Sequence, residues 1–246
     1  MAVIKIHTKS RGIGLGNQVW FIPVIKHLIQ NNHFVWSDSL LYDVLEVCAT
    51  KNRIKPDLTL VPMWPDWWEH IKIRSRHPFS QIEGFTFRVK GRHYSLFNRS
   101  VVVDQDVSEL ELIRKLIPNE MPFKLENPYP TRKKSMYERR VICGTSSKEK
   151  CYYLHWDKLE RALKSEGFDV VRLGELGHWY PLDYVFKEIC QAKYYIGVDN
   201  GLMHLADILN KKGVVIWGET TKKNRPLNMP VIEGLNSDPK QVLKSL

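Results

Sequence analysis

Two hydrophobic periods alternate along this chain, one of strands and one of helices. "AVIKIH" at the amino end is a short apolar-rich run that predicts a strand. A Gly-rich turn, "RGIGLGN", leads from it into "QVWFIPVIKHLIQ", where Trp20, Phe21, Val24, Ile25, Leu28 and Ile29 recur at helical spacing and form one apolar face. Pro23 lies inside that run and predicts a kink or a late helix start. "HFVWSDS" predicts a second strand, "SLLYDVLEVCAT" a helix and "PDLTLVP" a third strand. "GFTFRVK" and "SVVVDQD" predict further strands, and "VSELELIRKLI" a helix. The stretch "LENPYPTRKKSMYERR" breaks the pattern with prolines, basic residues and no apolar period, and it predicts a connector near residues 127–138.

After the connector the alternation restarts. "VICGTS", "DVVRLG", "YYIGVD" and "GVVIWGE" predict strands, separated by the helical runs "WDKLERALKSEG", "LDYVFKEICQA" and "GLMHLADILN", and "DPKQVLKSL" predicts a short final helix. Strands alternating with helices imply parallel sheets. The expectation is an α/β chain of two Rossmann-like, doubly wound domains, residues 1–130 and 139–246, facing a cleft.

Composition narrows the partners. The 246 residues carry 37 Lys and Arg against 27 Asp and Glu, a net charge of +10, with a local cluster at "TRKKSMYERR". A basic balance favours anionic partners: nucleotides, phosphorylated glycans, an anionic membrane surface or nucleic acid. Cys48, Cys143, Cys151 and Cys190 show no C-x-x-C spacing and read as reduced thiols, neither a disulfide frame nor a metal site. "MAVIKIHTKSRG" lacks the apolar core of a signal peptide, and no apolar run is long enough to span a bilayer. The chain is expected in the cytoplasm, at most peripheral to a membrane.

Several motifs offer chemistry. Gly12, Gly14 and Gly16 follow a strand and open a helix, and Asp38 ends the next strand where a ribose-binding acid would sit. The spacing is G-x-G-x-G instead of G-x-G-x-x-G, which argues against a nicotinamide site and leaves a tight turn or a substrate-facing loop. In "DQD", Asp104 and Asp106 match the D-x-D metal motif of some sugar transferases, but Ser108 and Glu111 behind them have capping-box spacing. Aspartates at a helix start need no metal, so no metal and no cofactor are expected. "WPDWWEH" reads as a loop-like aromatic cluster whose Trp64, Trp67 and Trp68 either stack on rings or seal a small core. No G-x-S-x-G, H-E-x-x-H or G-K-[ST] is present, so hydrolase, zinc-protease and P-loop readings lack their parts.

Two loops of the second half suit an anion. "CGTSSKEK" follows its first strand with hydroxyls and lysines, and "GVDNGLMHLAD" runs from a strand straight into a helix. Both fall at the carboxyl edge of the expected sheet. Helix N-termini and Lys bind phosphate, and a pyrophosphate fits two such loops.

These stretches resemble the ADP-heptose:lipopolysaccharide heptosyltransferase family, a glycosyltransferase group with the GT-B fold. "GVDNGLMHLAD" stands where the family shows D-[TS]-G-x-x-H-[LI]-A. "GTSSKEK" and "VVIWGET" match in kind and order, and "GIGLGNQVWFIPVIKHL" is similar to the family's acceptor-side loop and helix. The resemblance covers both ends and most of the second half, not residues 50–135. It implies pyrophosphate contacts from Thr145, Ser146, Lys150, Asn200, Gly201 and His204, with Asp199 shaping the loop or touching the sugar, and Gly218 and Glu175 near the nucleoside. Gly14, Gly16, Asp38 and His93 fall on the acceptor side. The family's Asp after the glycine loop, taken as the base, is Asn17 here, and an amide cannot accept the proton. Asp38, Asp66, Glu69, His93 and Asp104 are the other candidates. "GLGNQ" is also similar to the glycine loop of GDP-fucose-dependent transferases, which leaves the donor nucleotide open.

The expected activity is inverting, metal-independent transfer of a sugar from a nucleotide-sugar to an acceptor hydroxyl, with a lipopolysaccharide or other glycan favoured. The size and basic charge also suit a hydroxymethylated base in DNA, as in phage DNA-modifying transferases. A non-catalytic nucleotide- or nucleic-acid-binding module on a degenerate transferase fold is the reading that Asn17 supports.

Overall fold

A computed structural model describes residues 1–8, 15–37, 39, 41–42, 48–50, 54–61, 67–86, 88–89, 92–93, 97–102, 115, 137–145, 151–174, 180–218, 220, 224–226 and 228–246. The chain divides into two compact units, Met1–Glu126 and Asn127–Leu246.

In the first unit, strand β1 (Val3–Ile6) leads to helices α1 (Leu15–Trp20) and α2 (Ile22–Gln30). The expected single helix is two, with Pro23 in the first turn of the second. Proline is tolerated there because that turn's N–H groups have no intrahelical partner. Strands β2 (Phe34–Ser37), β3 (Ala49–Thr50), β4 (Leu58–Val61) and β5 (Gln81–Thr86) follow. The two residues of β3 close a segment expected to be helical throughout; residues 41–42 are helical. The short strands β6 (Arg88–Val89) and β7 (Arg92–His93) form an antiparallel hairpin, so "GFTFRVK" is not one strand. β8 (Arg99–Val102) completes a parallel sheet of order β3-β2-β1-β4-β5-β8, the Rossmann order.

Helix α3 (Trp67–Arg76) corrects the reading of "WPDWWEH" as a loop. Ile73 is its buried anchor and packs with Val61, Ile82 and Phe97. The Asp57 carboxylate accepts from the Val3 amide at 2.8 Å, which pins the start of β1 beside β4.

The second unit holds β9 (Tyr137–Gly144), α4 (Trp156–Ser165), β10 (Asp169–Leu173), α5 (Leu182–Gln191), β11 (Ala192–Val198), α6 (Gly201–Ile208), β12 (Lys212–Trp217), β13 (Val231–Glu233) and α7 (Pro239–Lys244). All its strands are parallel, in the order β10-β9-β11-β12-β13. Its core joins β9, β11 and β12 to α4 and α7 through Val141, Ile196, Val214, Leu159, Leu163 and Val242. β9 starts at Tyr137, so Arg139 and Arg140 belong to a strand and not to the connector. Arg139 donates to the Gly167 and Glu166 carbonyls at the end of α4. Arg140 pairs with Asp169 at 2.6 Å and Glu188 at 3.1 Å.

Candidate functional site: the switch point of the second sheet

Open parallel sheets bind ligands where the strand order reverses, outside the carboxyl ends of the strands. In the second unit that point lies between β9 and β11. It is where "CGTSSKEK" and "VDNGLMH" leave the sheet.

Asn200 organises the point. Its backbone is extended, and its side-chain oxygen accepts from the Met203 amide at 2.8 Å, so it is the N-cap of α6. Its Nδ2 donates to the Gly144 carbonyl at 3.1 Å. One amide therefore caps the helix and ties it to the end of β9. The helix mouth, opened by Gly201, keeps its remaining N–H groups for an anion.

Between Gly144 and Gly197 lies Tyr195, fully buried, its hydroxyl held well above the usual range by desolvation. A Cβ at Gly144 would stand 2.0 Å from the Tyr195 hydroxyl, and one at Gly197 2.5 Å from it. Both positions are glycine because the ring fills the space a side chain needs. The same hydroxyl lies 3.4 Å from Asn200 Oδ1.

His204 follows one turn into α6 and is 6% exposed. Burial lowers its pKa to about 4, so the imidazole is neutral at pH 7. Its Nε2 lies 3.9 Å from Asp199 Oδ1, too long for a hydrogen bond; with the ring uncharged there is no ion pair. The other Asp199 oxygen accepts from Asn224 Nδ2 at 3.2 Å. Asp207, on the same helix, is buried and accepts from the Asn228 and Met229 amides at 2.9 and 3.0 Å, which anchors the approach to β13.

The structure brings together Thr145, Asp199, Asn200, Gly201 and His204 at this edge. Thr145 is buried, and its hydroxyl donates to the Leu173 carbonyl at 3.2 Å. Its proton is thus committed to holding β9 against β10, and Thr145 shapes the loop. Gly174, the residue before Glu175, follows β10, whereas Gly218 follows β12. β9 and β11 lie between them, a separation of about 14 Å at one strand spacing each.

Beside Gly218 the carboxyl ends of β12 and β13 border an open cavity of about 770 Å³. On the β10 side, Tyr180 and Tyr184 stack at 5.3 Å and 29°, and both are about two-fifths exposed.

Ser146, Lys150, Glu175, Gly12, Gly14, Asp38, Trp64, Asp66, Asp104 and Asp106 lie outside the described residues, as do the side chains of Asn17, Trp67, Trp68, Glu69 and His93. Gly16 lies in α1. Among the described residues no three His, Cys, Asp or Glu side chains cluster as a metal site, and no helix is long and apolar enough to cross a membrane.

Sequence reasoning missed Tyr195, Asn224 and His7. His7 directly follows β1 at the switch point of the first sheet, is buried, and meets the His77 ring edge-on at 5.7 Å. Its signal was available: a histidine between a strand and a Gly-rich turn.

No protein-family model matches the chain, and no curated protein matches its sequence. Solved structures do match over nearly the whole length. E. coli heptosyltransferase WaaC with ADP superposes with a TM-score of 0.72 at 13% identity, covering 98% of each chain. E. coli ADP-heptose LPS heptosyltransferase II gives 0.68 at 15% identity, over 100% of this chain and 97% of that one. A glycosyl transferase family 9 protein from Veillonella parvula gives 0.66 at 10% identity, over 99% and 95%. At such identities the likeness is one of fold: this chain has the two-unit α/β fold, of GT-B type, that these heptosyltransferases share.

Proposed function

We propose that the protein is a nucleotide-sugar-dependent glycosyltransferase whose second unit binds the donor and whose first unit binds the acceptor. The observation that carries this is the Asn200 clamp, which holds an open helix N-terminus against the carboxyl end of β9 at the sheet's switch point. The donor's diphosphate docks there, against the amides of α6 and Lys150. The nucleoside lies over β9 and β10, where Glu175 follows Gly174 and the Tyr180–Tyr184 pair offers a face for a base. A fold neighbour solved with ADP, WaaC, supports a nucleoside diphosphate as part of the donor.

In the inverting reaction the acceptor oxygen attacks the anomeric carbon while the bond to the diphosphate oxygen breaks. The nucleoside diphosphate leaves with the electron pair. The helix N-terminus, Lys150 and an N–H of neutral His204 stabilise the charge on it, so no metal is required. The acceptor's proton goes to a base on the first unit. Asn17 cannot take it; Asp38, Asp66, Glu69, His93 and Asp104 are the candidates, joined by His7, which is buried directly after β1. Four free cysteines fit a cytoplasmic setting.

A lipopolysaccharide or related glycan is the favoured acceptor. A hydroxymethylated base in DNA is the second choice, and the ion pairs of Arg140 and the carbonyl bonds of Arg139 weaken it, since neither side chain is left for a phosphate backbone. Incubation with ADP-, GDP- and UDP-sugars, and either crude glycolipid or hydroxymethylated duplex DNA, followed by mass spectrometry, tests the proposal. A mass gain of one sugar on the glycolipid is expected. Nucleotide binding without any product would leave the non-catalytic module, with Asn17 as its explanation.

A further inference from the structure

Two consecutive residues after β12 face opposite ways. Asn224 donates to Asp199 at the switch point. Arg225 pairs with Glu233, and its guanidinium lies 5.8 Å from the Trp217 ring. Glu233 and Trp217 line the cavity at the ends of β12 and β13, together with Gly218, Gly234, Asn236 and Ser237. The Asn224–Arg225 step thus joins the diphosphate end of the donor site to this cavity.

The wall has a definite chemistry. Its volume of about 770 Å³ suits a small ligand. Glu233 offers an exposed carboxylate. Asn236 offers an exposed amide with no partner among the described residues. Gly234 has a φ of +94°, its amide donates to the Trp217 carbonyl at 2.8 Å, and a Cβ placed there would meet nothing within 4 Å. A ligand can therefore approach the backbone closely. Arg225, the neighbouring cation, is already neutralised by Glu233, so the cavity does not select phosphate. Trp217 is 3% exposed and presents no open face to a base. Acceptors and donors without net positive charge or an aromatic platform match a polyhydroxylated ring.

We propose that this cavity receives the sugar of the nucleotide-sugar, with Glu233 and Asn236 reading its hydroxyls. The donor then lies along the sheet edge in strand order: nucleoside over β10 and β9, diphosphate between β9 and β11, sugar over β12 and β13. This assignment rests on the donor-site reading above.

Calorimetry on the whole chain separates the two. ADP, GDP and UDP are titrated first, then ADP-glucose, GDP-mannose, GDP-fucose and UDP-glucose, with wild type, Glu233→Gln and Asn236→Ala. Both side chains are exposed, so the variants fold. Each variant is expected to bind the free nucleoside diphosphate as wild type does and the preferred nucleotide-sugar about tenfold more weakly, the loss of one hydrogen bond to a charged or amide group. Equal weakening of both ligands, or no weakening of the nucleotide-sugar, overturns the sugar assignment alone. A wild type that binds no nucleoside diphosphate removes the donor site itself, and the sugar assignment with it.

Discussion

Replacing Asn200 in three ways separates its two hydrogen bonds. Asn200→Ala removes both. The cap to the Met203 amide, at 2.8 Å, is worth about 1 kcal/mol. The bond to the Gly144 carbonyl, at 3.1 Å, is worth about 1 kcal/mol more. The expected loss is about 2 kcal/mol, or about 4–8 °C in melting temperature for a chain of this size. Asn200→Ser keeps a capping oxygen and loses the cross-link, so about half the loss is expected. Asn200→Asp keeps the cap but turns a carboxylate oxygen toward the Gly144 carbonyl, and is expected to fall below Ser. Thermal unfolding by circular dichroism, following the second unit's transition, reads stability; nucleoside diphosphate titration reads the site. Ser should bind about tenfold more weakly than wild type although it folds nearly as well, because the helix mouth and the end of β9 are no longer held together. A Ser variant as tight-binding as wild type would refute the clamp, and an Ala variant as stable as wild type would refute both bonds.

His204 should make the protein sensitive to mild acid. Its folded pKa, about 4, lies below the ordinary 6.5, so between those values the unfolded chain takes a proton that the folded one refuses. Stability is then full above about pH 6.5 and falls by about 3 kcal/mol as the pH drops toward 4. His204→Gln should flatten that slope in denaturant melts; an unchanged slope would contradict the burial argument. For catalysis, His204→Ala and Lys150→Ala should each lower turnover on the order of 10²-fold, as for one lost charge-stabilising donor, and wild-type rates from both would remove the diphosphate role. Activity should survive EDTA; an enzyme dead in EDTA and revived by Mn²⁺ would bring Asp104 and Asp106 into the site. Any binding to duplex DNA should depend weakly on salt. With Arg139 and Arg140 occupied, Arg132, Lys133 and Lys134 remain in the connector cluster, and three phosphate contacts give about a 40-fold loss between 50 and 200 mM salt where six give about a thousandfold. A slope near six, reduced by Arg139→Ala and Arg140→Ala, would restore the DNA reading.

The second unit was legible because its signals are local. "YYIGVDNGLMHLAD" carries a strand, a capping Asn and an apolar helix in one unbroken run, and β11, Asn200 and α6 fall on it. α3 was missed because the tryptophans of "WPDWWEH" hide the helical period; among its described side chains only Ile73 is buried. β13 has three residues, too few for any period. The hairpin β6–β7 interrupts what reads as one strand. Arg139 and Arg140 read as connector because charge was weighed over pairing; their partners Gly167, Asp169 and Glu188 lie 28 to 48 residues away. Asn224 and the cavity at Glu233 could not be seen for the same reason. Nothing local marks a residue whose meaning is the strand beside it.

The neutral state of His204 changes what the site can offer a diphosphate. A positive imidazole at a helix N-terminus would oppose the dipole, and burial removes that conflict by expelling the proton. The resting site therefore contains a polar ring, an open helix mouth and a nearby carboxylate in Asp199, held by Asn224. On the proposed donor reading, attraction for the diphosphate comes from the amides of α6 and from Lys150. His204 adds a hydrogen bond whose strength grows as charge moves onto the departing oxygen, because a low-dielectric surrounding magnifies it. Asp199 Oδ1 lies 3.9 Å from the ring, and no ion pair forms while the imidazole is neutral. The order of residues in "VDNGLMH" then has one physical account: a carboxylate beside the imidazole, an amide to cap the helix, a glycine to open its mouth, and a buried histidine that stays neutral.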